Sequence, residues 1–270
     1  MVYFLIFFIF LFGLCIGSFL NVVIYRLETG EGIVKKRSHC PGCQKTLAWY
    51  ELIPLASFLI LRGRCRHCRE SISWQYPLVE LSAGLLFVLI FNFQFSIFNE
   101  FSIFKISISG WLGLIWLLYV AAVLIIIFVY DLKHYLIPDK ILWPALGITF
   151  LYRLVEALNL GGWGFLNPLL SALAAAGFFL AIVVLTRGRG MGLGDVKLAF
   201  LMGLMLGWPM IGLALMLAFF SGSVVGIFLV IKGAKKMDSQ IPFGPFLIGG
   251  TVLALLWGGG ILNWVWRLLL

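Results

Sequence analysis

Two aspartates sit where charge is expensive. Asp131 closes an apolar run in FVYDLKHYLIPDK, and Asp195 opens another in MGLGDVKL. Ionisable residues within or beside membrane-spanning segments are rare and are functional candidates by default. Brought together from different helices, two carboxylates would share one proton, because both do not readily ionise side by side. The ionised one can take a proton from water. The protonated one can polarise a carbonyl and later assist a leaving amine. That is aspartic proteolysis, which needs neither a metal nor a covalent intermediate. Gly192 and Gly194 would permit a close-approaching or left-handed backbone just before Asp195, and let a substrate strand reach it.

The residues alone leave two other readings open. Asp131 and Asp195 can be ordinary boundary residues, with Asp195 favoured by a helix N-terminus. They can also serve a transporter that carries protons or cations. A transporter should show a polar path continuing to the midplane or the outer face. Apart from Glu80, charges inside the apolar runs are scarce. Asp139, between Pro138 and Lys140, has the setting of a first-turn or capping residue. Lys133 and Lys197 follow the two aspartates at i+2, which is not the same helix face. His134 belongs to the polar junction after Asp131 and is not assigned to the chemistry.

A second constellation is HCPGC at 39–43 and CRHC at 65–68. Cys40, Cys43, Cys65 and Cys68 form two CxxC knuckles, the pattern of a tetrahedral zinc site with four thiolates. The surrounding loop has little apolar core, so a structural Zn2+ would supply much of its folding energy. The alternative is unligated or redox-active thiols. His39 and His67 stand beside the cysteines, but four thiolates already complete the shell. Cys15, inside an apolar run, is a packing residue. No basic-aromatic face accompanies the knuckles, so no nucleic-acid partner is expected.

The elements that hold these groups are membrane helices. Hydrophobic residues make up 62% of the 270, charged residues 11%, and the mean hydropathy is +1.07. A soluble domain carries about a quarter charged residues. About 20 apolar residues cross a bilayer as a helix. Runs at 3–25, 77–98, 111–130, 137–156, 166–186, 195–208, 210–231 and 244–264 predict an all-α polytopic fold of about eight transmembrane helices. The 195–231 region is the hardest to divide. The first run is longer than a signal-peptide core and lacks a basic start, so it is expected to be a retained span.

Orientation follows from the basic residues. With the N-terminus outside, all but Lys105, Arg153 and Arg267 of the 20 Lys and Arg fall on the cytosolic side. This satisfies the positive-inside rule and puts Asp131, Asp139 and Asp195 near the cytosolic face. The net charge of +9 is then a matter of topology and of contact with anionic lipid. Residues 28–76 form the only large polar segment. Its IPLASFLIL run at 53–61 is too short to span, so it either packs as a small core or lies on the membrane.

Several stretches together resemble the type IV prepilin peptidases, or leader peptidases, which belong to the GxGD class of membrane aspartic proteases. They are GSFLNVVIYRL at 17–27, the two cysteine motifs, SISWQYPLVELSAG at 71–84, DLKHYLIPD at 131–139, GLGDVKL at 192–198 and IPFGPFL at 241–247. The resemblance implies that Asp131 and Asp195 are the catalytic pair and that Gly192 and Gly194 support it. It implies cleavage of the basic leader of type IV prepilins or pseudopilins, after Gly and usually before Phe, at the cytosolic face of the bacterial inner membrane. Members with the cysteine loop are typically bifunctional. They methylate the new N-terminus with S-adenosylmethionine, so that activity is expected here too, with peptidase activity alone as the alternative. No Gly-rich nucleotide loop marks a donor site. Glu80, with Asn21 and Arg26, is a candidate pocket residue or an interfacial carboxylate. The expected division is 1–27 as first span, 28–76 as the cytosolic four-cysteine loop associated with methyl transfer, and 77–270 as the peptidase core.

Overall fold

The computed structural model describes residues 2–30, 32, 37–97, 108–160, 162–188, 190–233 and 241–269. Lys35, Lys36, Lys105, Arg189, Lys235 and Lys236, counted above for orientation, lie outside the described residues. The described chain is helical: α1 Val2–Thr29, α2 Ala56–Ile60, α3 Gln75–Ile97, α4 Ile108–His134, α5 Asp139–Leu160, α6 Leu166–Leu185, α7 Leu193–Leu206, α8 Met210–Ile231 and α9 Gly244–Leu269. All of them except α2 and α7 are long and apolar enough to cross a membrane, which makes seven among the described residues. Many of their large apolar side chains point outward, as expected for helices solvated by lipid.

The run at 195–208, expected as a span, forms α7, a helix of 14 residues. Its length is about 21 Å, against a hydrocarbon core of about 30 Å. It ends early because Gly207, at φ +66°, and Pro209 break the helix. The chain divides into two compact units, Met1–Ile126 and Ile127–Leu270, with the boundary inside α4.

In the first unit α1 and α3 pack antiparallel at very short range. A Cβ on Gly13 would lie 2.7 Å from the Gly84 Cα, and one on Gly17 would lie 2.6 Å from the Glu80 Cα. Gly13 and Gly17 are a GxxxG face, which in a membrane lets backbones meet. One turn further on, Asn21 Nδ2 donates to the Tyr76 carbonyl at 3.0 Å. The contacts 13–84, 17–80 and 21–76 therefore keep one register along the helix pair.

In the second unit α7 is the buried element. Leu198, Ala199, Leu201, Met202 and Leu204 are fully enclosed. Any side chain at Gly203 would overlap the backbone of Ala172 in α6, and any at Gly250 would overlap Ala214 in α8. The C-terminal carbonyls of α7 are capped from α5. Arg153 donates from Nε to the Leu204 carbonyl at 2.9 Å and from its Nη2 to the Met205 carbonyl, while pairing with Glu156 at 2.5 Å. Asn167 then holds both the N–H and the carbonyl of Trp208, at 2.7 and 3.0 Å. These side chains replace the partners that a helix end lacks.

Candidate active site

Asp131 lies in the last turn of α4. The helix stops because the Tyr135 N–H closes back on the Asp131 carbonyl at 2.9 Å with Tyr135 at φ +57°. The chain then leads to Pro138, whose carbonyl accepts from Ile141 and Leu142 as α5 begins. Asp131 is only 4% exposed, and its Oδ2 is buried without a hydrogen-bond partner among the described residues. Such an atom is costly unless something arrives to use it.

Asp195 occupies the third position of α7. Its Oδ2 accepts the Gly192 N–H at 3.2 Å, which satisfies one of the free donors at that helix start. Gly192 itself is extended, at φ −89° and ψ 159°, so the left-handed option raised for the glycines is not used there. Gly194 serves close approach instead. A Cβ there would stand 3.1 Å from the Ile137 Cβ, so the glycine lets the segment after Asp131 lie directly against the start of α7.

One cavity of about 890 Å³ is lined by both carboxylates together with Tyr135, Ile137, Gly192 and Phe243. Asp195 also feels the charge of Asp131 electrostatically. Asp139 and Lys197 stand on the same rim and pair with each other at 2.7 and 2.9 Å, the Lys197 ammonium lying 5.6 Å from the centre of the Trp143 ring. Asp139 is thus a paired, exposed carboxylate rather than an inward one. The His134 ring lies tilted against Tyr130 at 4.5 Å, and neither it nor Lys133 lines the cavity.

Sequence reasoning gave Gly244 no part. It begins α9 beside Asp131, and a Cβ there would lie 2.5 Å from Asp131 Oδ2. Its signal was present in IPFGPFL, where a glycine stands between an aromatic residue and a proline. The helix start it opens also offers backbone N–H groups near a carboxylate.

The four cysteines lie in the first unit, and their Sγ atoms all fall within 4.8 Å of one another. Cys40 Sγ and Cys68 Sγ are 3.8 Å apart. Tetrahedral thiolates at about 2.3 Å from zinc would be about 3.8 Å from each other, so the donor set fits a metal ion. The two knuckles repeat one backbone design. The Cys40 N–H donates to Lys45 and the Cys40 carbonyl accepts from Gln44. The Cys65 N–H donates to Glu70 and its carbonyl accepts from Arg69. Gln44 and Arg69, at the same place in each knuckle, both adopt positive φ. The backbone N–H groups of Cys68 and His67 lower the Cys65 thiol to about 7, whereas burial and the neighbouring thiols push Cys40 and Cys68 up, as expected for thiols crowded together. His39 packs on Tyr25, and His67 contacts Lys45, so neither completes the thiolate cluster.

Glu80 is in this unit too, and it is engaged structurally. Its Oε2 accepts the Leu55 N–H at 2.8 Å, and Ser18 also hydrogen-bonds it. Asn21 is held by Tyr76 and Gln75, and Arg26 donates to the Gly32 carbonyl.

Two family models match the chain. The bacterial peptidase A24 N-terminal domain covers residues 11–93, and the type IV leader peptidase family covers residues 118–231. Among curated relatives, the prepilin leader peptidase/N-methyltransferase of Aeromonas hydrophila is 34% identical over 280 residues, spanning 95% of this chain and 92% of its own. The protein of the same description from Bacillus subtilis is 34% identical over 256 residues, spanning 94% and 95%. That from Myxococcus xanthus is 38% identical over 236 residues, spanning 84% and 64%. No solved structure matches. Matched along nearly its whole length by such relatives, the chain belongs to the type IV leader peptidase family.

Proposed function

We propose that this protein is a membrane aspartic endopeptidase that removes the leader of type IV prepilins or pseudopilins, and that it then methylates the new N-terminus. The observation that carries the reading is a shared cavity lined by both Asp131 and Asp195, from helices far apart in sequence. The relatives' shared description, prepilin leader peptidase/N-methyltransferase, supports the substrate class and the second activity.

In this mechanism the ionised member of the pair takes a proton from water as that oxygen attacks the scissile carbonyl. The protonated member gives its proton to the carbonyl oxygen. Collapse of the tetrahedral intermediate breaks the C–N bond. The carboxyl that gained the water proton delivers it to the leaving amine, and the other recovers the proton it lent to the carbonyl oxygen. The pair ends with one proton between them, as it began. The orphaned Asp131 Oδ2 is the atom whose hydrogen bonding the arriving water or carbonyl completes.

Cys40, Cys43, Cys65 and Cys68 would hold a structural Zn2+ that stabilises the 28–76 loop. S-adenosylmethionine would be the methyl donor. On this reading residues 1–27 anchor the loop, the loop serves methyl transfer, and the peptidase pair lies within 77–270. The site faces the cytosol of an inner-membrane protein whose N-terminus is outside. The basic-residue distribution supports that orientation, and Arg153, an exception to it, has a separate task in capping α7.

The test is mass spectrometry of a prepilin peptide incubated with purified enzyme in detergent, with and without S-adenosylmethionine. The expected result is a cut after Gly and a methyl gain only with the donor. Asp131→Asn and Asp195→Asn should each abolish the cut while the protein stays in the membrane. Normal cleavage by either variant overturns the pairing, and cleavage without methyl gain by the wild type leaves a peptidase alone.

A further inference from the structure

The 49–61 segment is not a core. Leu59 is 72% exposed, Ile60 79% and Trp49 77%, and Trp74, just before α3, is 70% exposed. Tyr50, Leu52 and Ile53 are exposed as well. Among the larger side chains of α2, Phe58 turns inward, onto the Trp74 ring at 5.1 Å. An apolar patch of this kind marks an interaction surface.

Its place along the helix pair bears on what covers it. The Leu55 N–H is bonded to Glu80, and Glu80 faces Gly17 of α1. Both helices are apolar enough to cross the membrane at these positions. The cysteine knuckles sit elsewhere along the same axis, where His39 packs on Tyr25 at 5.9 Å. Gly17 and Tyr25 lie two turns apart on α1, a rise of about 12 Å. Leu55 therefore meets the helix pair about 12 Å along the axis from where His39 does, on the side toward the middle of α1. Leu55 takes an unusual backbone, φ 57° and ψ −47°, to make this turn, and Glu80 holds it.

Charge runs in the matching order. Arg62, Arg64, Arg66 and Arg69 follow the apolar lobe and lead back to the knuckle. Arg66 also donates to the Tyr50 hydroxyl at 2.9 Å. Exposed aromatic and aliphatic residues with arginines beside them have the composition of the lipid–water boundary.

We infer that residues 49–61, with Trp74, form an interfacial wedge buried in the cytosolic-side headgroup and upper acyl region, and that the adjoining arginines contact anionic lipid phosphates. The wedge fixes the height of the four-cysteine loop over the membrane. This inference rests on the first unit and on the orientation proposed above, and is independent of the peptidase reading.

The experiment places the photocrosslinker p-benzoylphenylalanine at Leu59, at Ile60 or, as a control, at Gln44 in the full chain. The protein is reconstituted in vesicles of phosphatidylethanolamine with a minor fraction of phosphatidylglycerol. After irradiation, mass spectrometry identifies the adducts. Phospholipid adducts at 59 and 60 but not at 44, enriched in phosphatidylglycerol beyond its share of the vesicle, are expected. Replacing Arg62, Arg64 and Arg69 with Gln should remove the enrichment and leave the adducts. A crosslinked second copy of the chain, or no lipid adduct at 59 and 60, would overturn the wedge. Adducts in proportion to vesicle composition would overturn the contact with anionic lipid. Prepilin leader cleavage by the same samples reports the fold and the peptidase separately.

Discussion

Gly244 leaves the room that Asp131 occupies: a methyl group on Gly244 would come within 2.5 Å of Asp131 Oδ2. The start of α9 and the end of α4 are thus fitted to each other at the carboxylate. Gly244→Ala should push the Asp131 side chain away or shift α9. A displacement near 1 Å at a reacting group costs about 100-fold in rate. Leader cleavage should fall by about that much, with little change in methylation of a pre-cleaved peptide. Unchanged cleavage would show that the catalytic rotamer of Asp131 points elsewhere.

Gly192 and Gly194 should respond differently, although the motif treats them alike. A Cβ at Gly194 meets Ile137 at 3.1 Å, whereas one at Gly192 meets nothing nearer than the Gly194 nitrogen at 3.8 Å. Overpacking costs about 1–3 kcal/mol. Gly194→Val should lose most cleavage, and Gly192→Ala should stay within a few-fold of wild type. Steady-state cleavage rates for the two variants check this, and the reverse order would place substrate, not Ile137, at the Gly192 backbone.

Arg153 holds the end of α7 opposite Asp195. It caps the Leu204 and Met205 carbonyls, so Arg153→Met leaves buried acceptors without donors. Each such loss costs about 1–3 kcal/mol. The variant should unfold at a lower temperature in detergent and cleave more slowly, while its zinc content per chain stays the same. Arg153→Lys should recover only part of both, since an ammonium does not span two carbonyls as a guanidinium does. Thermal unfolding and metal analysis on the same preparations separate this from a general folding defect.

The groups with chemistry were legible in the sequence because they are out of place there. A carboxylate at the edge of an apolar run and a doubled CxxC are conspicuous against 62% hydrophobic residues. The long spans were equally plain, since length and hydropathy alone define them. The contacts that tune the site were not. Gly244 against Asp131, Gly194 against Ile137 and Arg153 on the end of α7 join elements distant in the chain, and no local periodicity encodes them. Arg153 even looked like a topology exception, because its cost in the membrane is offset by carbonyls that only the fold brings near. The 53–61 run was ambiguous for a related reason. Nine apolar residues suit a small core or a membrane surface equally, and the exposure of Leu59 and Ile60 in the fold speaks against a core.

The cysteine loop should separate the two activities. Its cysteines lie in the first unit, whereas Asp131 and Asp195 both lie in the second. Reduced protein is expected to hold one zinc per chain. A strong chelator, or Cys40→Ser, should remove it and loosen the loop, because a site with little apolar core draws its folding energy from the metal. Limited proteolysis should then cut within 37–74, which the zinc form resists. Methyl transfer should be lost, while leader cleavage falls only a few-fold. Restoring Zn2+ to the chelated wild type should recover methylation and protease resistance together, whereas the Cys40→Ser protein should recover neither. Equal and complete loss of both activities in an otherwise intact fold would mean that the loop also takes part in holding the leader for cleavage.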